Sequence, residues 1–258
     1  MPTKRGVAVF LGAMILFSAG AAWSQEKDSA GQARKKLLSD KTLLFYAPFD
    51  FSVDAETAYH HKTGQLYGEA QYVKGVVGNC LWLPAEGKGS VGYPMSDNID
   101  LDRGTLMFWF KPGWWGDEET GKYTLLWVSM KDANKYFAFH RSFSPKYPTL
   151  LYISRSWQGG TSLHTDQHFK KDTWMHLAAT WDAAANKFLL YINGEVKATG
   201  TWSAVDKDPA LQPNRMSLGR YYTADTPINS AYDEFYVFKR VLTPEEIAAY
   251  WKETRPVE

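Results

Sequence analysis

Carboxylates and imidazoles are the side chains in this chain that could do acid–base or metal chemistry, and their spacing limits what they could do. Asp54 and Glu56 stand two residues apart, as do Asp100 and Asp102. In a strand that separation aims both carboxylates at one face, where a pair could flank a glycosidic bond. Both pairs sit in polar, turn-like stretches instead. Asp117-Glu118-Glu119 reads as a solvated loop cluster. His60 and His61 are neighbours, which in an extended chain point apart. His164 and His168 have a spacing that gathers a metal only on a helix, and their surroundings predict a loop. The chain has no Gly-x-Ser-x-Gly elbow, His-Glu-x-x-His helix, phosphate-binding loop or cysteine cluster. A carboxylate pair assembled from separate strands is the one hydrolytic arrangement that spacing leaves open.

Aromatic side chains offer a different chemistry. They make up 16% of the chain, with eleven tryptophans. Sugar rings have apolar faces that stack on indole and phenol rings, while Arg, Asn and Asp bond their hydroxyls. Trp114 and Trp115 fall in a glycine-flanked polar loop, and Trp157 precedes Gly159-Gly160. Trp202 lies in a long connection, and Arg220-Tyr221-Tyr222 ends a strand. Any one of these could be packing under a loop, since Trp is usually well buried. Together they predict a ligand face made of Trp114, Trp115, Trp157, Arg220 and Tyr222, with His140 and Arg155 at nearby strand ends.

The elements that must carry these residues are strands. Trp174 to Trp181 alternates, with Met175, Leu177, Ala179 and Trp181 on one face and Trp174, His176, Ala178 and Thr180 on the other. Phe188 to Ile192 is a second strand, and Asn193-Gly194 supplies the pair that a type I′ hairpin turn prefers. Gly104 to Pro112 is apolar on both faces and should be central. The domain is expected to start at 43–50, and further strands are predicted near 79–83, 90–93, 124–130, 136–141 and 150–157, from 216–219 onward, and at 232–238 within 230–240. One helix stands out, because Thr243-Pro244-Glu245-Glu246 is a capping box with Pro at N1. Ile247, Tyr250 and Trp251 should dock it on the sheet. Many short strands with turn residues between them indicate an all-β, two-sheet antiparallel jelly-roll sandwich with a short C-terminal helix.

With 258 residues and a formal net charge of +1, the chain can bury one good-sized core and lacks the basic stripe that nucleic acid requires. Lys4 and Arg5 precede an apolar run from Gly6 to Ala22, and Ala22-Trp23-Ser24 fits a cleavage site. Residues 1–24 are therefore expected to be a signal peptide, 25–42 a flexible or weakly helical leader, and 43–254 the domain. Export to the periplasm or the cell exterior follows, with no membrane span after cleavage. Cys80 is the single cysteine and is expected to be a buried, inert thiol.

The order of these pieces resembles the laminin-G-like jelly-roll domains of the concanavalin A-like lectin and glucanase superfamily. The pieces are Phe49-Asp50, Gly104 to Pro112, Trp174-x-His176 through Trp181, Leu190 to Gly194, and Tyr232 to Ile247. The resemblance implies a fold rather than an activity, because the fold hosts lectins, adhesion modules, hydrolases and lyases. It attaches no chemistry to His176. Laminarinase-like members carry Glu-x-Asp-x-Glu or Glu-x-Asp-x-x-Glu on one strand, which this chain lacks. Members of the group often hold a structural calcium, and the matching positions are Asp50 and Asp233. The resulting expectation is a secreted, non-catalytic module that binds carbohydrate through loop aromatics. Its alternatives are a structural or adhesive envelope domain binding a cell-surface protein, and a glycoside hydrolase or polysaccharide lyase.

Overall fold

The computed structural model describes residues 29–113, 123–132, 134–144, 147–155, 161–202, 211–219 and 228–256, with 142–144, 147–155 and 161 described by their backbone. Two antiparallel sheets face each other. The nine-stranded sheet has the order β14-β13-β12-β7-β16-β1-β2, with β5 pairing β16 and β4 pairing β5. Its strands are β1 (Leu43–Ala47), β2 (Thr57–Ala58), β4 (Gln71–Lys74), β5 (Asn79–Leu83), β7 (Arg103–Pro112), β12 (Met175–Asp182), β13 (Lys187–Ile192), β14 (Glu195–Gly200) and β16 (Ser230–Phe238). The seven-stranded sheet has the order β11-β10-β9-β8-β15-β6-β3. It comprises β3 (Gln65–Tyr67), β6 (Ser90–Pro94), β8 (Tyr123–Met130), β9 (Tyr136–Ser144), β10 (Tyr147–Arg155), β11 (Thr161–His164) and β15 (Pro213–Leu218).

Alternation along the strands builds the core. Phe108, Phe110, Leu177, Phe188 and Phe235 from one sheet meet Leu126, Val128, Phe137, Phe139 and Met216 from the other. Phe108 and Phe139 cross the gap edge to face, with ring centroids 5.4 Å apart. Met175, Leu177, Ala179 and Trp181 all join this core, as the period-2 pattern predicts. Asn193 (φ 51°) and Gly194 (φ 79°) are both left-handed, which is what a type I′ turn needs. Trp202, read from sequence as a candidate ligand platform, belongs to the core instead. It is buried beside Trp181, Phe188 and Phe137, and its indole N–H donates to the Leu101 carbonyl at 2.8 Å.

The nine-stranded sheet carries a second apolar layer on its outer face. Two helices cover it: α1 (29–38) and α2 (Pro244–Thr254). Thr243 and Glu246 form the capping box that the sequence indicates, with Pro at the start of the helix. Ile247 and Tyr250 of α2 and Ala33 and Leu37 of α1 bury against Tyr46, Met107, Trp109, Tyr191 and Phe238. The stretch expected as a flexible or weakly helical leader thus contains a helix docked on the domain.

Candidate functional site

Beneath the two helices lies a polar cluster built around an irregularity in β16. The register of β16 against β7 shifts between Asp233 and Tyr236, and Glu234 has φ of 52°. In a regular strand Asp233 and Glu234 would face opposite sides. The bulge lets both serve the helix-covered face, and both are fully buried. Glu234 accepts from the phenol O–H groups of Tyr46 (2.8 Å), Tyr236 (2.5 Å) and Tyr250 (3.2 Å). Arg34 of α1 reaches into the same space. Its guanidinium donates to Glu234 Oε1 at 2.5 Å, to Asp50 Oδ2 at 3.2 Å and to the Val77 carbonyl at 3.0 Å. Burial opposes the Arg34 charge, but Glu234, Tyr46 and Asp50 together outweigh it and hold the guanidinium protonated.

Asp50 and Asp233 hold opposite sides of the 75–79 turn. Asp50 Oδ1 accepts from the Asn79 amide at 2.8 Å, and Asp233 Oδ2 accepts from the amides of Val76 (2.7 Å) and Val77 (3.1 Å). Glycine is required at both ends of this turn. A Cβ on Gly75 would stand 2.4 Å from Asp233 Oδ2, and one on Gly78 would stand 2.1 Å from Asp50 Oδ1. Asp233 Oδ1 is buried with no hydrogen-bond partner among the described residues. Burial raises the Asp233 carboxyl pKa, and the neighbouring Glu234 raises it further. Burial also raises that of Glu234, against the pull of Arg34 and the tyrosine donors.

Calcium at Asp50 and Asp233 fits this arrangement in two respects. Three carboxyl groups surround one guanidinium among the described residues, and the buried Asp233 Oδ1 stands free for a hard cation, whose charge would offset the burial that favours the protonated acid. It fits less well in a third. The described residues contain no group of three or more Asp, Glu, His or Cys side chains that could hold a metal ion, so backbone carbonyls would have to supply the remaining ligands.

The other titratable residues singled out from sequence are structural. His176 is fully buried between the rings of Trp109 and Tyr250, at 5.2 and 5.4 Å. Burial lowers its pKa to about 3, so the imidazole is neutral. Its backbone N–H donates to Asn193 Oδ1 at 2.9 Å, which ties the strand to the hairpin turn. Cys80 is buried, and desolvation, with Asp233 nearby, pushes its thiol up to about 12. His60 and His61 do not point apart. The chain bends there, and the rings stack at 4.0 Å with His60 Nδ1 3.2 Å from Asp97.

Of the predicted ligand residues, Trp114, Trp115, Trp157, Arg220 and Tyr222 lie outside the described residues. Arg155 ends β10, in register with Phe137 and Thr161. His140 does not end a strand. It lies inside β9 opposite Thr124, buried, with Nδ1 3.0 Å from the Thr124 hydroxyl. Stacked beside it are Trp127 and Tyr136, 3.9 Å apart.

A different set of aromatics is partly exposed. Across the outer face of the nine-stranded sheet, Gln71 of β4 pairs Trp82 of β5, Trp82 pairs Ala231 of β16, and Ala231 pairs Lys111 of β7. Trp174 stands just before β12, whose Met175 pairs the neighbour of Lys111, Phe110. The Lys111 ammonium lies 5.8 Å from the Trp82 ring and 5.2 Å from the Trp174 ring. All three side chains are half-buried and Gln71 is exposed. Sequence reading missed this row, because its members come from separate strands. The outward positions of Trp82 and Trp174, opposite core residues in the alternation, were the available signal.

A sequence profile described as the concanavalin A-like lectin/glucanases superfamily (Laminin_G_3) matches residues 86–248. The chain belongs to this superfamily. Among curated proteins no sequence match was found. Solved structures agree on the fold of this superfamily member. Domain 4 of AbnA, an extracellular arabinanase of Geobacillus stearothermophilus solved with arabinotriose, aligns with a TM-score of 0.64 at 19% identity, covering 81% of this chain and 98% of that one. The receptor-binding domain of botulinum neurotoxin mosaic serotype C/D aligns at 0.65 and 17% identity, covering 82% of this chain. That of botulinum neurotoxin DC, solved with rat synaptotagmin II, aligns at 0.65 and 12% identity, covering 83%. The superfamily domain spans about half of these toxin chains, 51% and 52%. Among the described residues, no helix is long and apolar enough to cross a membrane.

Proposed function

We propose that this protein is an exported, non-catalytic recognition module that binds carbohydrate on the outer face of its nine-stranded sheet. The observation that carries the reading is the partly exposed row of Trp82 and Trp174 about Lys111. Two indoles on a rigid sheet, flanked by the amide of Gln71, offer the stacking planes and polar edges that sugar rings use. Fold neighbours solved with arabinotriose and with SialylT make such a role reasonable for this architecture. The buried acids favour a non-catalytic role. Asp233 and Glu234 lie beneath the helices, engaged by backbone amides and phenol hydroxyls rather than facing an open cleft. Calcium is part of this reading as a structural ion between Asp50 and Asp233, where it would supply charge balance and pin the 75–79 turn. Export rests on the basic and apolar segment within residues 1–24.

A glycan array probed with the wild-type protein and with Trp82→Ala and Trp174→Ala tests the proposal. Binding that both substitutions abolish, in variants whose thermal unfolding is unchanged, supports it. No binding by the wild type, or binding indifferent to both tryptophans, refutes it.

A further inference from the structure

We infer that the Trp82–Lys111–Trp174 row selects an acidic sugar, with the carboxylate of a uronate residue meeting the Lys111 ammonium while the sugar rings stack on the indoles; this rests on the carbohydrate-binding role proposed above. The first support is the way the fold treats adjacent rows. One step along the same face, Asp233, Trp109 and His176 are in register and sealed under the helices. The row through Lys111 is left half-open. A lysine at the middle of a sheet face, on a strand otherwise buried from Gly104 to Phe110, places a charge where an apolar residue would extend the covered layer.

The second support is charge. Among the described residues Lys111 takes part in no ion pair. Its neighbours in the row are two indoles, an alanine and an amide, so among the described residues its ammonium is met by ring quadrupoles and not by a carboxylate. An anion arriving between the rings would gain a charge-assisted hydrogen bond partly shielded from water. A neutral sugar would gain only the stacking. The third support is shape. Ala231 is small and fully buried between Trp82 and Lys111, so these two larger side chains close over it and bring the ammonium beside the indole in one short row. At its end, a Cβ on Gly113 would stand 2.6 Å from Trp82 Cη2 and 2.9 Å from Asn229 Nδ2. The buried, bare glycine lets the Trp82 ring and the half-buried Asn229 amide pack over it, which holds that amide beside the indole edge as a partner for a ring hydroxyl.

The occupant is a glycan with a single negative charge per ring rather than a clustered polyanion, because the row offers one ammonium and no arginine fork. The test is calorimetric titration of the full chain with three oligosaccharides of equal length: an oligogalacturonate, a neutral xylo-oligosaccharide and a sulfated neutral backbone. The expected result is at least tenfold tighter binding of the uronate than of the neutral sugar, with the difference shrinking as salt is added. Lys111→Gln keeps a polar side chain and should remove that preference. Trp174→Ala should weaken both. Equal affinity for uronate and neutral sugars, or a preference that survives Lys111→Gln, overturns the inference and leaves the carbohydrate role standing. Preference for the sulfated sugar over the uronate overturns the carboxylate assignment. Binding of none of the three overturns the inference together with the role beneath it.

Discussion

Arg34 is the single cation described among Asp50, Asp233 and Glu234, and replacing it by methionine should be costly. The substitution keeps the aliphatic stem and removes three hydrogen bonds, to Asp50, Glu234 and the Val77 carbonyl. The Arg34 side chain is 21% exposed and that of Glu234 is 0% exposed, so the pair lies closer to a buried than to a surface ion pair. Removing one partner of a buried pair costs about 3–5 kcal/mol, because the other charge is left uncompensated. At ~2–4 °C per kcal/mol for a domain of this size, the melting temperature should fall by about 6–20 °C. Differential scanning fluorimetry measures the fall, and urea denaturation gives the free energy. The control is Glu234→Gln, alone and combined with Arg34→Met. In the double variant much of the penalty should be relieved, since the uncompensated charge has gone. A change within about 2 °C for Arg34→Met would refute the reasoning, because it is what an ordinary surface ion pair gives. Loss of protection in 29–38 by hydrogen exchange in the same variant would show that α1 docks through this contact.

Three further outcomes follow from the same geometry. The folded-state pKa of His176 is depressed to about 3 from 6.5, so the unfolded chain takes up a proton first as pH falls. His176 therefore costs no stability above pH 6.5 and about 2 kcal/mol by pH 5; His176→Phe should flatten the wild-type loss of stability over that window, and equal slopes would contradict it. If calcium sits between Asp50 and Asp233, adding it should raise the melting temperature, with about 2.7 kcal/mol expected at a hundredfold excess over Kd. Chelator should reverse the rise and Asp233→Asn abolish it, whereas an unchanged melting temperature with no calcium on elemental analysis removes the ion from the account. Gly194→Ala puts a Cβ at φ 79° and 3.0 Å from Ala248 Cα of α2, so it should cost about 1–2 kcal/mol in denaturant unfolding.

The parts of the fold legible in the sequence are those that local rules decide. Strand alternation placed Met175, Leu177, Ala179 and Trp181 in the core, and Asn193-Gly194 marked its turn because few other pairs tolerate two positive φ values. The capping box at Thr243 marked the start of α2 for the same kind of reason. What alternation could not show is the bulge in β16, which turns two consecutive acids to one face and makes Glu234 a partner of Arg34. That pairing joins residues far apart in sequence, as does the row of Trp82, Lys111 and Trp174. His140 and Trp202 were misplaced because an aromatic or imidazole near a predicted loop looks the same in sequence whether it packs inward or outward.

The central claim is that the row of Trp82 and Trp174 is a carbohydrate-binding surface and not a catalytic one. Co-sedimentation with a panel of insoluble polysaccharides, assayed in the same tubes for released reducing and unsaturated ends, addresses it most directly. The account predicts that the wild type is retained by at least one acidic polysaccharide, that Trp82→Ala/Trp174→Ala is not retained, and that neither releases sugar. Retention of the double variant equal to that of wild type, or sugar release by the wild type, would contradict it.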